Sequence, residues 1–414
     1  MRALICLIIL MSLSFGREQE IGLEDAVRIA TERHLERIKS DLDLKKIEEQ
    51  IREVRGSIFP SLGLSAQYIR WDPNYISAFI PENQYLATLT LNQEIFNRSV
   101  FMALRVAKRT RALQKKVIED IKKSLRAEAE KLYWGVLLRR EILKTKEESL
   151  GYWEEYFKLV EEKFKKGIVP RHEFVRARAM MRSAKAQVIR ARSEYRKAVQ
   201  ALKGFLGLEG QIRVRGKLIL KNFSAENPVI LLEKNNSTLK VLRQKIRAQE
   251  SAVDLKTADY FPKLRAFANY EVRNIIDFQA GRLVEDTRSG YSFGLRLDFV
   301  IFEGLKRRAR TQQERIEVQK AVEELRYTRN NLRTKLDSLL EELSSLKEEI
   351  GAMEDTLEAE RESMRFATER YAEGVGSQID LLNARTSYEN ALINYLTLIF
   401  SANSVIADIE RMIY

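Results

Sequence analysis

The side chains that most often perform bond-making chemistry or bind metal ions are scarce in this sequence. Its 414 residues include one cysteine, Cys6, and two histidines, His34 and His172. The histidines lie far apart in the chain, so neither a Ser/His/Asp nor a Cys/His arrangement can be drawn, and structural zinc, iron–sulfur clusters and disulfides are excluded. We therefore predict no catalytic residue, no metal site and no cofactor, and we interpret each histidine as an ordinary residue of a helix surface.

A pattern that points to protein binding occurs twice. Gly167 is followed by Ile168 and Val169, and Gly374 is followed by Val375, in each case between two stretches with helical periodicity. A glycine ends a helix in the left-handed conformation without a steric penalty, which explains both glycines whatever the protein does. Apolar side chains exposed at the end of a polar helical rod indicate, in addition, a site where a partner binds.

Long helices must carry these two turns. In the second half of the chain, apolar residues recur at alternating steps of four and three, which is the seam of a coiled coil. The residues of this seam are Leu332, Leu336, Leu339, Leu343, Leu346, Ile350, Met353 and Leu357. A helix from near Arg98 to Lys166 would extend about 100 Å, so we expect the helices to pack side by side in a bundle or a tube.

One stretch without charged residues, from Asn390 to Ala407, has the composition of a membrane helix. Polar residues nevertheless recur in and just after it at steps of four and three, and they form a single stripe. The stripe consists of Asn390, Asn394, Thr397, Ser401, Ser404 and Asp408. We interpret this segment as an amphipathic helix packed against other helices and not as a membrane span.

Four segments of about ten residues alternate apolar and polar side chains, which predicts strands with one apolar and one polar face. Their apolar members are Leu62, Leu64, Ala66, Tyr68, Tyr85, Ala87, Leu89, Leu91, Leu264, Ala266, Ala268, Tyr270, Val272, Tyr291, Phe293, Leu295, Leu297 and Phe299. Ten residues is also the length of a tilted strand that crosses a bilayer. Aromatic residues near the predicted strand ends resemble the girdles of an outer-membrane barrel; they are Tyr68, Trp71, Tyr85, Tyr270, Tyr291 and Phe299. We predict that Leu89 and Leu295 face lipid, whereas Thr90 and Arg296 face the lumen.

The four strands form two hairpins, with predicted loops at about Asp72–Asn83 and Asn274–Ser289. Four strands cannot close a barrel, and an open sheet edge in lipid leaves backbone groups unpaired. A membrane barrel therefore requires an oligomer that pools its strands. From the pattern alone, a small soluble sheet with one face on a core stays open as an alternative.

The two halves of the chain repeat each other. A Phe-Pro pair precedes each hairpin, at Phe59 and Phe261, and a glycine turn follows each hairpin, at Gly167 and Gly374. We predict two structural repeats of short helix, hairpin, long helix, turn and long helix. The first covers residues 17–207, with its hairpin at about 61–95 and its turn at about 167, the linker covers 208–227, and the second covers 228–414, with its hairpin at about 264–300 and its turn at about 374.

The first residues have the features of a secretory signal peptide. Arg2 is followed by an apolar run from Ala3 to Leu13 and then by Ser14-Phe15-Gly16. These features match a short basic start, an apolar core and a small-residue cleavage site. The predicted signal peptide covers residues 1–16 and contains Cys6, so the exported chain would have no thiol.

Nucleic-acid binding and a periplasmic scaffold are two alternatives to an oligomeric membrane barrel. Lysine and arginine outnumber aspartate and glutamate by 72 to 59, and a net charge of +13 is compatible with nucleic-acid binding. However, basic residues alternate with glutamates along the helices, as in residues 154–166, and the export signal also argues against nucleic acid. A periplasmic coiled-coil scaffold or adaptor without a barrel would explain the helical seam but not the four amphipathic strands.

In their duplicated order, these motifs resemble the TolC-type family of outer-membrane efflux proteins over essentially the whole chain after the signal peptide. The matching motifs are the opening at residues 23–26, both Phe-Pro pairs, both hairpins and both glycine turns, of which the segment at residues 370–384 is the most specific. The resemblance implies a mainly α fold with a membrane β-barrel part, in which a homotrimer pools twelve strands into one barrel and twelve helices into a tube. The linker at 208–227 would lie in the equatorial region of this tube.

The resemblance also implies a function and partners. The trimer would be an exit channel in the outer membrane, with a large periplasmic part and with lipid around its barrel. It would passively conduct drugs, metals or proteins from a periplasmic adaptor and an inner-membrane pump, as in tripartite efflux or type I secretion. The two glycine turns would be the tips that dock on the adaptor, with Ser377 as a nearby hydrogen-bonding group.

Four further residues receive roles from the resemblance. Asp380 matches an acidic position at the pore constriction, and Asn383 lies one helical turn on, where many relatives carry a second acid. We therefore expect a less acidic constriction than in those relatives. Glu173 and Tyr371 match positions that link neighbouring helices as a gate latch. Gly376 replaces a basic residue of some relatives, so one latch contact is expected to be missing.

Overall fold

The computed structural model describes residues 19–77, 79–279 and 281–414, and the predicted signal peptide lies outside these residues. The described residues form eight α-helices and six strands. The helices are α1 (Leu23–Arg33), α2 (Leu35–Gly56), α3 (Arg98–Lys165), α4 (Arg171–Leu206), α5 (Pro228–Asn235), α6 (Ser237–Thr257), α7 (Lys306–Ala372) and α8 (Gln378–Ile413). The strands are β1 (Gln19–Ile21), β2 (Ser61–Arg70), β3 (Asn83–Phe96), β4 (Ile212–Val214), β5 (Lys263–Gln279) and β6 (Arg282–Asp298).

The order of the elements repeats. A helix, a strand hairpin, a very long helix and a second long helix follow one another as α2, β2, β3, α3 and α4, and again as α6, β5, β6, α7 and α8. The predicted fold class, a duplicated unit of long helices and strand hairpins, is confirmed. The helices α3 and α7 have 68 and 67 residues and contain no proline that would break their backbone hydrogen bonds. Each therefore extends about 100 Å.

The chain forms two compact units, and each takes segments from both repeats. The first unit contains the described residues up to Ser40 together with Val117–Leu239 and Tyr327–Tyr414, and the second contains Asp41–Lys116 and Lys240–Arg326. The predicted repeats describe similarity along the chain, whereas the compact units follow the packing of side chains.

Helices build the core of the first unit. Four residues of the predicted seam on α7 are buried, which follows from the four-and-three spacing because such residues share one helix face. These are Leu336, Leu339, Leu343 and Ile350. Fully buried side chains of α3, α4 and α8 belong to the same core and include Leu137, Leu202, Ile406, Ile409 and Ile413. Burial of these side chains, at roughly 1.5–3 kcal/mol each, stabilises the helices far more than helix propensity does.

Hydrogen bonds hold the segment between the repeats against α3. β4 pairs with β1 in parallel orientation. The Tyr133 hydroxyl donates to the Arg215 carbonyl at 2.5 Å, and the Arg140 guanidinium donates to the Val214 carbonyl at 2.9 Å. These side chains thus donate hydrogen bonds to backbone carbonyls that no helix or sheet pairs.

The last helix, α8, is long and apolar enough to cross a membrane by length and composition. In the structure its apolar side packs into the core of the first unit, while the predicted polar stripe is exposed or half-buried. Asn403, which is fully buried, donates to the Ile219 carbonyl and accepts from the Lys221 backbone N–H, both at 2.8 Å. These contacts agree with an amphipathic helix that packs against other parts of the chain.

The second unit contains a four-stranded antiparallel sheet with the order β2-β3-β5-β6. Leu89 lies opposite Leu64 and Tyr270, and Thr90 lies opposite Asn269. Directly opposed residues point to the same face of a sheet. The apolar residues predicted within the four strands therefore fall on one face, as their alternation indicated, except Phe299, which follows the last residue of β6. No described strand pairs with the outer edge of β2 or of β6.

The second hairpin corrects a prediction. Residues 274–289 were expected to form a loop, but they continue β5 and β6 almost to the turn at Gly281. This stretch extends past the last residue of β5 that pairs with β3 and carries polar residues on both faces, so it lacks the alternation of a half-buried strand. Asn274 ends the pairing, because its side-chain amide accepts from the Tyr85 N–H at 2.8 Å and donates to the Asn83 carbonyl at 2.6 Å.

Candidate functional site

The turn between α3 and α4 is closed by two backbone hydrogen bonds. Gly167 has a φ of 72°, in the left-handed region. Its N–H donates to the Phe164 carbonyl, and the N–H of Ile168 donates to the Lys163 carbonyl, both at 2.9 Å. This pair of bonds satisfies two carbonyls at the end of α3 and requires a residue that tolerates positive φ.

The turn between α7 and α8 has the same geometry. Gly374 has a φ of 80°, its N–H donates to the Tyr371 carbonyl at 3.2 Å, and the N–H of Val375 donates to the Arg370 carbonyl at 3.0 Å. A Cβ atom on Gly376 would lie 2.9 Å from the Tyr371 backbone nitrogen. Close backbone approach therefore requires glycine at this position, which gives a physical reason why the basic residue of some relatives is absent.

The turns expose two apolar side chains, whereas a third is partly buried. Ile168 is 65% exposed and Val375 is 67% exposed. Val169, which was expected to be exposed with them, is half-buried and packs with the buried Trp153 and Val160 of α3. The correction follows from the turn itself, because the residue after Ile168 leads back toward the helices. Ile168 and Val375 thus remain as the exposed apolar pair at the turns.

The first two turns of α8 carry the predicted constriction residues. Asp380 and Asn383 are exposed, whereas Leu381 between them is buried against the chain itself. Ser377, expected to bond a partner, is the N-cap of α8, and its hydroxyl oxygen accepts from the Asp380 N–H at 3.1 Å. Asp380 lies at the third position of the helix, where a carboxylate also interacts favourably with the helix dipole.

The predicted latch residues do not bond to each other. The Tyr371 hydroxyl instead donates to the hydroxyl of Tyr156 on α3, at 3.3 Å, and the two ring centroids are 5.8 Å apart. Glu173 makes no side-chain hydrogen bond or ion pair with any described residue, but its charge acts on the Tyr156 hydroxyl. Tyr156 is only 5% exposed, and burial first, then its hydrogen bond with Tyr371 and the nearby charges, raise its pKa far above the ordinary tyrosine value.

Two further contacts join α3 to α8 in the same region, and sequence reasoning missed both. The Arg385 guanidinium lies 3.4 Å from the ring centroid of Tyr152, and Lys146 forms an ion pair with Glu389. Burial lowers the pKa of Arg385 and raises that of Tyr152. The signal that points to this region is a set of aromatic residues one helical turn apart on α3, namely Tyr152, Trp153, Tyr156 and Phe157.

The apolar face of the sheet forms a band of measurable height. It extends from the row of Leu264 and Leu297 to the row of Tyr85 and Thr287, ten residues along β6. At about 3.4 Å per residue and a tilt of about 40°, ten residues correspond to a height of about 26 Å, close to the apolar band of a transmembrane barrel. Tyr270 and Tyr291, expected near strand ends, oppose each other in the middle of this band because β5 and β6 continue farther than predicted.

The opposite face of the sheet is polar and carries arginines. Arg265 forms an ion pair with Glu94 at 2.7 Å. Arg296 lies directly opposite Arg265 and over the ring of Phe267, 5.7 Å from its centroid, and forms no ion pair with the described residues. Leu295 and Arg296 therefore lie on the faces that the alternation predicts, one apolar and one polar.

Nothing in the described residues forms a metal-ligand cluster of three or more histidine, cysteine, aspartate or glutamate side chains. His34 caps the C-terminus of α1, accepts from the Glu36 N–H at 3.3 Å and packs its ring on Phe205. His172 is exposed on α4. Each histidine thus has a position that chain folding alone explains.

Comparison with known proteins gives consistent matches. A family model described as outer membrane efflux protein matches residues 30–208 and 230–401. The outer membrane protein TolC of Escherichia coli is 22% identical over 366 residues, which cover 85% of this chain and 74% of TolC.

Solved structures extend the similarity to the three-dimensional fold. The Campylobacter jejuni CmeC outer membrane channel matches with a TM-score of 0.77 and 17% identity, over 97% of this chain and 90% of CmeC. The open state of the Neisseria gonorrhoeae MtrE outer membrane channel matches with a TM-score of 0.77 and 18% identity, over 94% and 88% of the respective chains. At this level of identity the two matches concern the fold.

Proposed function

The chain belongs to the outer membrane efflux protein family, and we propose that it is the exit channel of a tripartite efflux or type I secretion system. Proteins of this family are efflux channels and not enzymes. In this proposal, three copies form one channel across the outer membrane, with a large periplasmic part. The channel passively conducts substrates that a periplasmic adaptor and an inner-membrane pump deliver.

The sheet carries this proposal. Each chain contributes four strands with an apolar face about 26 Å high. The outer strands β2 and β6 each have one edge that no strand of the described residues pairs. Unpaired edges are incompatible with lipid, so copies of the chain must join β6 of one to β2 of the next. Three copies provide twelve strands, an even number within the range of bacterial barrels.

The helical turns supply the docking surface in this proposal. Ile168 and Val375 are exposed apolar residues on turns with the same backbone geometry. Such a pair fits a partner with an apolar helical surface, here the adaptor. Gly167 and Gly374 set the direction of these side chains, and Val169 supports the first turn from inside.

The constriction and the latch lie next to the second turn. Asp380 and Asn383 are exposed one helical turn apart, and three copies of Asp380 around an axis would form an acidic ring that attracts cations. Tyr371 holds the end of α7 to α3 through Tyr156, and Glu173 stands beside that contact. We assign the latch to this group, with Tyr156 added to the two residues that the sequence indicated.

The proposal is tested with the full chain in planar bilayers and in cells. Wild-type protein should conduct ions in steps of uniform size. The double variant Ile168→Asp/Val375→Asp should keep this conductance but lose binding to the adaptor and export, because only the docking surface changes. Ile189→Asp, which changes an exposed apolar residue elsewhere on α4, serves as the matched control and should retain export. A chain that never conducts would contradict the channel, and export by the double variant would contradict the docking site.

A further inference from the structure

The loop between β6 and α7 exposes a series of apolar side chains that the strands and helices do not use. We call residues 299–305 the ledge. Ile301 is 85% exposed, Phe302 is 77% exposed and Leu305 is 67% exposed. Soluble surfaces rarely present so many large apolar side chains together unless something covers them.

A buried arginine fixes the ledge in place. The Arg307 side chain is only 9% exposed and donates to the Val300 carbonyl and, at 3.1 Å, to the Asp259 carbonyl. It also forms an ion pair with Glu303 at 3.7 Å. A buried cation with these partners is costly to displace, so the exposure of Ile301 and its neighbours is a built feature of the loop.

Backbone conformation at the end of the ledge gives a second indication. Leu305 has a φ of 64°, directly after Gly304 with a φ of 58°. The left-handed conformation costs a residue with a Cβ atom roughly 1–2 kcal/mol. Within the described residues no core contact offsets this cost, because the Leu305 side chain points into solvent.

Two basic residues lie directly after the ledge in the chain. Lys306 and Arg308 are exposed in the first turn of α7, which contains no acidic residue. Their side chains make no hydrogen bond or ion pair with any described residue, whereas the neighbouring Arg310 pairs with Glu303 at 3.6 Å. Cations are unfavourable near a helix N-terminus. An anion from outside the chain that binds both side chains would offset this unfavourable interaction.

The position of these features relative to the sheet identifies the anion. The ledge begins two residues after Leu297, which is in the last row of the apolar face, at the end of the sheet where the long helices begin. On the basis of the function proposed above, we infer that the ledge lies at the membrane boundary and that Lys306 and Arg308 bind the phosphate of an anionic phospholipid in the leaflet on the helix side. Apolar residues beside basic ones are the usual composition of such an interfacial site.

A second copy of the chain fits the ledge less well. If β6 of one copy pairs with β2 of the next, the ledge approaches the segment before β2. Residues 56–60 of that segment contain no carboxylate, and the charged residue just before them is Arg55. This segment of a neighbouring copy would therefore offer Lys306 and Arg308 no opposite charge, whereas a lipid phosphate supplies one.

The depth of the ledge is tested with spin labels on the full chain reconstituted in phospholipid vesicles. A Cys6→Ser background carries one label at Ile301→Cys, with Leu295→Cys as the lipid reference and Gln319→Cys on α7 as the water reference. We expect the Ile301 label to be reached by oxygen more than by a water-soluble nickel complex, at a depth between the two references.

Three other outcomes of the spin-label experiment would contradict the inference or the proposed function. A label at Ile301 that nickel reaches as readily as at Gln319 would overturn the inference, and so would a label shielded from both reagents by a neighbouring copy. A label at Leu295 that is exposed to water would instead overturn the proposed membrane sheet, and the ledge site with it.

Charge recognition is tested with a fluorophore at Ile301→Cys in phosphatidylcholine vesicles. We expect brominated phosphatidylglycerol to quench it more than brominated phosphatidylcholine at equal mole fraction. Lys306→Gln/Arg308→Gln should reduce this preference by about thirtyfold, since each of the two basic residues near an anionic surface contributes about 1 kcal/mol. The Arg315→Gln/Lys320→Gln control, with the same loss of charge farther along α7, should keep the preference. Equal quenching by both lipids in the parent protein would overturn the phosphate site.

Discussion

Replacing Leu89 by lysine is expected to destabilise the assembled sheet, whereas replacing its neighbour Thr90 by lysine is not. The two residues are adjacent on β3, at nearly the same height, and differ in the face they occupy. Both substitutions add one positive charge per chain. Thr90→Lys is therefore a matched control for everything except the contact with lipid.

The register of the strands gives the size of the effect. Leu89 lies opposite Tyr270, six residues along β5 from Leu264 and four from Asn274, which bound the apolar band. At about 3.4 Å per residue and a tilt of about 40°, Leu89 lies within about 3 Å of the middle of the band, and Leu295 about 8 Å from it. A lysine facing lipid near the middle costs roughly 2–4 kcal/mol, so Leu89→Lys should cost about 6–12 kcal/mol for three copies. Leu295→Lys should cost less than half as much.

The assay is the yield and heat resistance of the folded oligomer after refolding into vesicles, measured by the shift of unboiled samples on gels. We expect the order of loss Leu89→Lys, then Leu295→Lys, with Thr90→Lys close to wild type. Equal losses for Leu89→Lys and Thr90→Lys would refute the assignment of the two faces. A larger loss for Leu295→Lys than for Leu89→Lys would refute the depth scale.

Three further predictions concern the helices. Asp380→Asn should remove most divalent-cation block in single-channel recordings, because three carboxylates would share a narrow space. Asn383→Asp should strengthen the block. Unchanged recordings for both variants would show that these residues do not line the constriction. Tyr156→Phe deletes one hydrogen bond of about 0.5–1.5 kcal/mol to α7 and should raise the open probability of the channel, which conductance traces will show or contradict. Burial, then a hydrogen bond to Glu354, raises the pKa of Tyr395 from 10.0 to about 12. The neutral phenol is thus favoured in the folded state, so stability should be lost as the pH rises from about 10 to about 12, and urea unfolding of Tyr395→Phe should lack this part of the pH dependence.

Sequence reasoning succeeded where the physical signal is local. Successive side chains of a strand point to opposite faces, so the alternation along β3 predicts that Leu89 and Thr90 lie on opposite faces of the sheet, as the register shows. The same reasoning failed for residues 274–289, since each face of that part of the hairpin mixes polar and apolar residues. A strand without a consistently apolar face has no alternation to detect, and Asn274, which ends the pairing with β3, is a residue type common in turns and loops.

The candidate site was predicted in part for a similar reason. The two turns depend on hydrogen bonds between residues a few positions apart, and a glycine after a helical stretch is the sequence pattern that predicts them. The contact of Tyr371 with Tyr156 joins residues 215 positions apart, and no local pattern encodes such a pair. Ser377 has a local role that its spacing reveals, because a serine three residues before Asp380 is a helix-capping pattern, and its role in docking stays a prediction.

The copy number of the membrane-extracted protein tests the central claim most directly. Native mass spectrometry of the full chain in detergent should give one folded species of three copies, because no described strand of the same chain pairs the outer edges of β2 and β6 and the proposal assigns these edges to neighbouring copies. Hydrogen exchange on the same sample should find both strands protected. A folded monomer that is stable without detergent, with β2 and β6 equally protected, would contradict a barrel built from pooled strands.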